Sequence, residues 1–375
     1  MSVIHRAAAA AVTAGLAAVA GLVMAPAAGA MTHSPSSFIG NFHKLRTIGS
    51  TVPRNGDVNP YGTVLIRHSR GRLRQGDVLI SNFNNKANLQ GTGTTIVQVS
   101  PHGHLTTFAH ITASGLPGAC PGGVGLTTAL AVVHGWVFVG SLPTSNGMSP
   151  TARAGCLIVL DSQGRVRETF AGQGINGPWD MTALAAGSSA DLFVTNVLNG
   201  TVAASPAVVH RGTVLRLTLG FPAKRPPKLL AVTTIGSGFA ERTDPAALVV
   251  GPTGAGLGAG GTLYVADSVT NRITAIPAAA TRAGSAGTGD TLTSGGALST
   301  PLGLIIAPDG DVLTVNGGNG EIVETTPGGV QVATRQLDGS GTPPGAGALF
   351  GLATAPGGRG VYYVDDATNT LRLLH

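Results

Sequence analysis

A short apolar strand ending in a small or polar residue returns six times along this 375-residue chain. The copies read Val78-Leu79-Ile80-Ser81-Asn82, Val137-Phe138-Val139-Gly140-Ser141 and Leu192-Phe193-Val194-Thr195-Asn196. They continue as Leu263-Tyr264-Val265-Ala266-Asp267, Val312-Leu313-Thr314-Val315-Asn316 and Val361-Tyr362-Tyr363-Val364-Asp365. Their last residues lie 59, 55, 71, 49 and 49 positions apart. A period of about 50 residues made only of strands restricts the chain to an array of small sheets. Such sheets cannot bury their faces singly, so they must stack on one another.

Each copy has the same neighbours. A Gly- or Pro-marked opening and a short apolar strand precede it, as in Asn59-Pro60-Tyr61-Gly62-Thr63-Val64-Leu65-Ile66 or Pro301-Leu302-Gly303-Leu304-Ile305-Ile306. A polar turn and a third strand follow, such as Ile96 to Val99 or Ile322 to Thr325, and then a more polar fourth strand such as Val330 to Gln336. Four antiparallel strands make one propeller blade, so the pattern predicts an all-β, six-bladed β-propeller. The last copy ends at Leu371-Arg372-Leu373-Leu374 with no chain left for a fourth strand, and Leu45-Arg46-Thr47-Ile48 precedes the first blade without a blade of its own. Pairing of these N- and C-terminal strands is expected to close the ring.

Composition agrees with many short strands and turns: 57 Gly, 23 Pro and 11% charged residues argue against a helical bundle or a disordered chain. The net charge of +6 includes only four Lys and gives no reason to expect a nucleic-acid partner. At the N-terminus, His5 and Arg6 precede the apolar run Ala7 to Ala25, then Pro26 and Ala28-Gly29-Ala30. This reads as a secretory signal peptide over residues 1–30 of a bacterial protein. A short lead-in over 31–43 and one propeller domain over 44–375 follow. No later stretch is long and apolar enough for a transmembrane helix, so the expectation is a secreted or envelope-associated protein. Cys120 and Cys156 are then expected to form one disulfide. Such a bond closes a loop of about 37 residues, worth roughly 3–4 kcal/mol in the chain-entropy account.

The unit Pro-x-Gly, apolar strand, Asp-Gly-x-Leu-Tyr-Val-x-Asp, turn, Asn-x-Ile resembles the NHL repeat, most clearly at Gly261 to Ile276 and Pro301 to Pro327. The whole chain looks like secreted bacterial NHL-type proteins of unassigned activity. That resemblance implies the propeller fold and leaves function open, because NHL-like propellers include binding modules, lyases and hydrolases. The chain is also similar to gluconolactonase-type propellers. That likeness implies a divalent cation in the central channel held by Glu, Asn and Asp. The Glu residues beyond the signal peptide stand at 168, 241, 321 and 324, none at the first blade opening where that family has one; Asp57 is the substitute.

Strand alternation sorts the loops. Blade openings and second-to-third-strand turns share one face, here the top; the other turns form the bottom. The top collects Asp57, Asn59 and Tyr61, then Trp179 and Asp180, then Arg242 and Asp244, with Asn82, Asn196, Asp267, Asn316 and Asp365 at second-strand ends. Converging carboxylates and amides suit an oxygen-held cation such as Ca²⁺ or a small polar ligand, with Tyr61 and Trp179 as stacking faces. The repeated Asn and Asp residues also suit Asx-type turn bonding, so Asp57, Tyr61, Trp179 and Asp180 are the better candidates. Bottom turns carry the basic clusters Arg67 to Arg74 and Lys224 to Lys228, expected to be solvated. Gly172-x-Gly174-x-x-Gly177 opens no helix and so lacks a phosphate-binding mechanism. With no nucleophile elbow, Walker sequence or zinc motif, the leading expectation is a non-catalytic scaffold binding a ligand or an extracellular protein. The alternative is a divalent-metal-dependent hydrolase or lactonase.

Overall fold

The computed structural model describes residues 37–375; the segment expected to be a signal peptide and the start of the lead-in lie outside them. Six antiparallel sheets follow one another along the chain. Their innermost strands are Val58–Leu65, Leu126–Val133, Gly177–Ala186, Pro252–Leu257, Pro301–Ile306 and Leu349–Thr354. The fold is a six-bladed propeller. Second strands such as Val78–Asn84, Leu263–Asp267, Val312–Asn316 and Val361–Asp365 are buried throughout. Their Val, Ile, Leu and Tyr side chains face the neighbouring blades on both sides, which is why they read as continuous apolar runs. Outer strands such as Asp290–Ser294 and Gln331–Gln336 carry no fully buried residue, as their Thr-, Gln- and Arg-bearing sequences require.

Ring closure takes the expected form. Leu45–Ser50 is the fourth strand of blade 6, pairing Leu45 with Leu374, Arg46 with Leu373 and Ser50 with Thr370. Blade 3 departs from four strands. Its outer hairpin, Val209–Gly220 and Lys228–Asp244, is unusually long, and Leu248–Val250 adds a short fifth strand beside Arg242, Thr243 and Asp244. The extra length accounts for the 71-residue spacing between Asn196 and Asp267.

Cys120 and Cys156 are bonded, with Cα atoms 5.1 Å apart. The bridge ties the Gly/Pro-rich link between blades 1 and 2 to the start of the third strand of blade 2, Cys156–Leu160. No helix among the described residues is long and apolar enough to cross a membrane. Replacing both cysteines by alanine is expected to lower unfolding free energy by roughly 3–4 kcal/mol, from the entropy of the released loop. Urea melts of the oxidised parent and the double variant check this; coincident midpoints would refute it.

Candidate functional site

Each inner strand slips register against its second strand, and the slip occurs in all six blades. There the backbone of one blade touches the next. Gly62, Gly254, Gly303 and Gly351 hold this position in blades 1, 4, 5 and 6. A Cβ on Gly303 would lie 1.7 Å from the Phe350 carbonyl oxygen, and one on Gly351 2.2 Å from that of Tyr61. Hydroxyls bridge the same contacts: Ser81 donates to the Thr127 carbonyl at 2.6 Å, and Thr127 to that of Pro178 at 2.7 Å. Thr195 donates to the Thr253 carbonyl and Ser268 to that of Pro301.

Two blades carry a side chain at this glycine position: Thr128 in blade 2 and Asp180 in blade 3. The Asp180 side chain reaches toward blade 4, where the Ala255 N–H donates to one carboxylate oxygen at 3.2 Å; the Met181 N–H donates to the other at 2.8 Å. Among the described residues no cationic side chain pairs with it. Burial pushes the Asp180 pKa up to about 8, against the smaller pull of its two backbone donors. Asp180 lines a cavity of about 360 Å³ built from the lower halves of all six inner strands. Apolar side chains of Leu130, Met181, Leu257, Leu304, Ile306 and Leu352 share the lining with inner-strand backbone and the polar side chains of Thr63, Thr128 and Thr182. The Thr63 and Thr128 hydroxyls are buried without hydrogen-bond partners among the described residues, and exposed Arg67 borders the cavity at the bottom. The result is a buried acid beside two threonines in a cavity of mixed polar and aliphatic lining.

The top of the channel, where sequence placed the ligand, is filled. Tyr61 stacks between Phe350, at 3.8 Å between ring centroids, and Phe83, at 4.5 Å. Trp179 packs on the same group, its indole N–H donating to the Val249 carbonyl at 3.1 Å. Tyr61 and Trp179 are each 2% exposed, so neither offers a face for stacking on a ligand. Three large aromatics near inner-strand starts and Phe83 near the end of a second strand gain more by packing together than by lining an open mouth.

The remaining candidates are engaged in the scaffold. One oxygen of Asp57 accepts from the Thr94 N–H and from both the Thr94 and Thr95 hydroxyls. The Asn59 N–H donates to the Asn369 side chain. Asn196 fastens the link before blade 3 by accepting from the Asn176 and Gly177 N–H groups. Asn82 and Asn316 donate to the Thr51 and Ala297 carbonyls. Asp267 pairs with Arg272, Asp365 with Arg372 and Asp244 with Arg242. Arg70 and Arg72 in the first basic cluster are spent on backbone carbonyls of blades 1 and 2.

The channel does not fit a divalent cation. Ca²⁺ takes six to eight oxygens, several of them from carboxylates, and among the described residues Asp180 is the only acidic one lining the cavity. Among the described residues the one acidic trio close enough to share an ion is Asp309, Asp311 and Glu324 in blade 5, outside the channel. Sequence did hold a signal for Asp180. Gly177-Pro178-Trp179-Asp180 breaks the Pro-x-Gly opening of blades 1, 4 and 5, and it replaces the one residue that lacks a side chain.

No protein-family model matches the chain, and no curated protein does. Solved structures match the fold. A gluconolactonase from Xanthomonas campestris aligns with a TM-score of 0.52 and 14% identity over 88% of each chain. Regucalcin, a calcium-binding protein from Agrobacterium tumefaciens, gives 0.54 and 14% over 88% of this chain and 93% of its own. A luciferin-regenerating enzyme gives 0.54 and 12%, covering 88% and 95%. The chain therefore has the fold of the gluconolactonase- and NHL-like propeller class. The expectation of a non-catalytic scaffold is corrected: these neighbours are enzymes or a calcium binder, and the hydrolase alternative fits them better.

Because the Asp180 pKa is raised, the folded protein holds a proton that the unfolded chain releases near pH 4. Stability from this group is therefore full below about pH 4 and declines until about pH 8, where it levels off. Asp180→Asn is expected to be increasingly more stable than the parent across that window. Urea unfolding of both proteins against pH tests this, and a constant difference would contradict it.

Proposed function

We propose that this chain is a hydrolase of lactones or similar cyclic esters, working in the central channel with Asp180 as its acid–base group. The observation that carries the reading is a buried carboxyl with no cationic partner and a pKa of about 8, at a position where four other blades have glycine. Acid–base groups work best with a pKa near the operating pH, and perturbed acids in clefts mark functional sites. The lactonase fold neighbour supports the reaction class. The channel's residues do not supply a metal-ligand set, so the reading departs from the divalent-metal form of the hydrolase alternative.

In this reading the Asp180 carboxylate takes a proton from water as its oxygen bonds to the lactone carbonyl carbon. The free Thr63 and Thr128 hydroxyls donate to the oxyanion that forms. Collapse breaks the ring C–O bond, and the proton passes from Asp180 to the departing alkoxide, giving a hydroxy acid. The mixed polar and aliphatic lining suits a small cyclic ester, and Arg67 at the rim favours release of the carboxylate product towards the bottom. The disulfide and the leader-like N-terminus support action outside the cytosol.

A panel of aliphatic lactones assayed by acid release tests the reading. Turnover is expected to need the ionised carboxylate, so kcat/KM rises with pH and levels above about 8. Asp180→Asn is expected to lose about 10²–10⁴-fold in kcat while remaining folded and no less stable than the parent. Added divalent cations are expected to leave the rate unchanged. Wild-type turnover in Asp180→Asn, or no hydrolysis of any lactone, would sink the reading.

A further inference from the structure

The lead-in before the ring is held by one acid. Glu324, fully buried in the third strand of blade 5, accepts from the Ser37 hydroxyl at 2.6 Å and from the Phe38 and Ile39 N–H groups at 2.6 and 2.9 Å. Beside it lies the hairpin between the first and second strands of the same blade, carrying Asp309 and Asp311. One carboxylate oxygen from each of Asp309, Asp311 and Glu324 lies within 4.8 Å of the others. Asp309 uses one oxygen to accept from the Asp311 N–H at 3.2 Å. Asp311 is only 7% exposed, and its Oδ2 is buried without any hydrogen-bond donor.

Three carboxylates this close need a counter-cation or a shared proton, and among the described residues no Lys, Arg or His forms an ion pair with any of them. The neighbouring cation, Arg335, is directed at the Gly40 and Phe42 carbonyls of the lead-in instead. Two oxygens bound to one Ca²⁺ at 2.3–2.6 Å stand at most about 5 Å apart, so the trio has the right spread. An all-oxygen donor set suits a hard cation and not zinc or copper. The Asp311 Oδ2, which among the described residues no donor outside the trio reaches, supplies a further ligand.

We propose that Asp309, Asp311 and Glu324 bind a Ca²⁺ ion that fastens the lead-in to blade 5. The site is separate from the channel and independent of its chemistry. Metal-stripped full-length protein titrated with Ca²⁺, with Tb³⁺ as a luminescent competitor, is expected to bind one ion per chain. Asp309→Ala, which alters an exposed residue, should weaken binding by about tenfold or more, and Glu324→Gln should abolish it. Asp180→Asn should leave it unchanged. Ca²⁺ should also slow chymotryptic cleavage after Phe38 and Phe42 several-fold in the parent, but not in Asp309→Ala. Absence of stoichiometric Ca²⁺ and Tb³⁺ binding, or undiminished affinity in both Asp309→Ala and Glu324→Gln, would overturn the proposal.

Discussion

Six inner strands converge on one axis, and at their waist the backbone of each blade meets that of the next. No ordinary side chain fits between Gly303 and the Phe350 carbonyl, or between Gly351 and that of Tyr61. The contact also exposes carbonyls that the inner strands' own ladders leave unpaired. Hydroxyls of Ser81, Thr127, Thr195 and Ser268 satisfy them across successive blades. A buried carbonyl without a donor costs about 1–3 kcal/mol, so each hydroxyl both closes that gap and fixes the spacing of two blades. Glycine permits the approach, and the hydroxyl holds it.

Asp180 stands out against that arrangement. Four blades meet the steric demand with glycine and one with threonine, so the fold itself has no need of an acid there. Two backbone donors do not offset the desolvation of a carboxylate, and the group keeps its proton near neutrality. A residue that costs stability where a smaller one would fold equally well is the expected mark of a working site.

Much of the architecture was legible because it rests on local pattern. Doubly buried second strands read as apolar runs, the orphan strand at Leu45 matched the incomplete last blade, and the two cysteines fell near one blade face. The site was legible only in part. Asp180 and Trp179 adjoin in sequence, yet one lines the cavity and the other plugs its top, since successive residues of a strand point to opposite sides. That Tyr61 packs on residues 83, 179 and 350 is a matter of ring closure, which spacing along the chain does not encode. Asp57 looked like a free carboxylate because its three donors come from Thr94 and Thr95, more than thirty positions away.

The plug and the acid are physically coupled. Blade 3's added segment brings Ala247 to Val250 over the aromatic cluster, with Ser149 donating to the Leu248 carbonyl at 2.7 Å and Gln90 to that of Pro245 at 2.7 Å. Those bonds tie the segment to blades 1 and 2, so the upper end of the channel is shut by packing and not by a mobile loop. A channel open at both ends would admit water past Asp180, hydrate its carboxylate and return its pKa towards the ordinary range. Closure at the top therefore does more than complete the core. It makes a blind cavity whose innermost acid is poorly hydrated, and it leaves the bottom as the side by which the proposed lactone and its attacking water would have to enter.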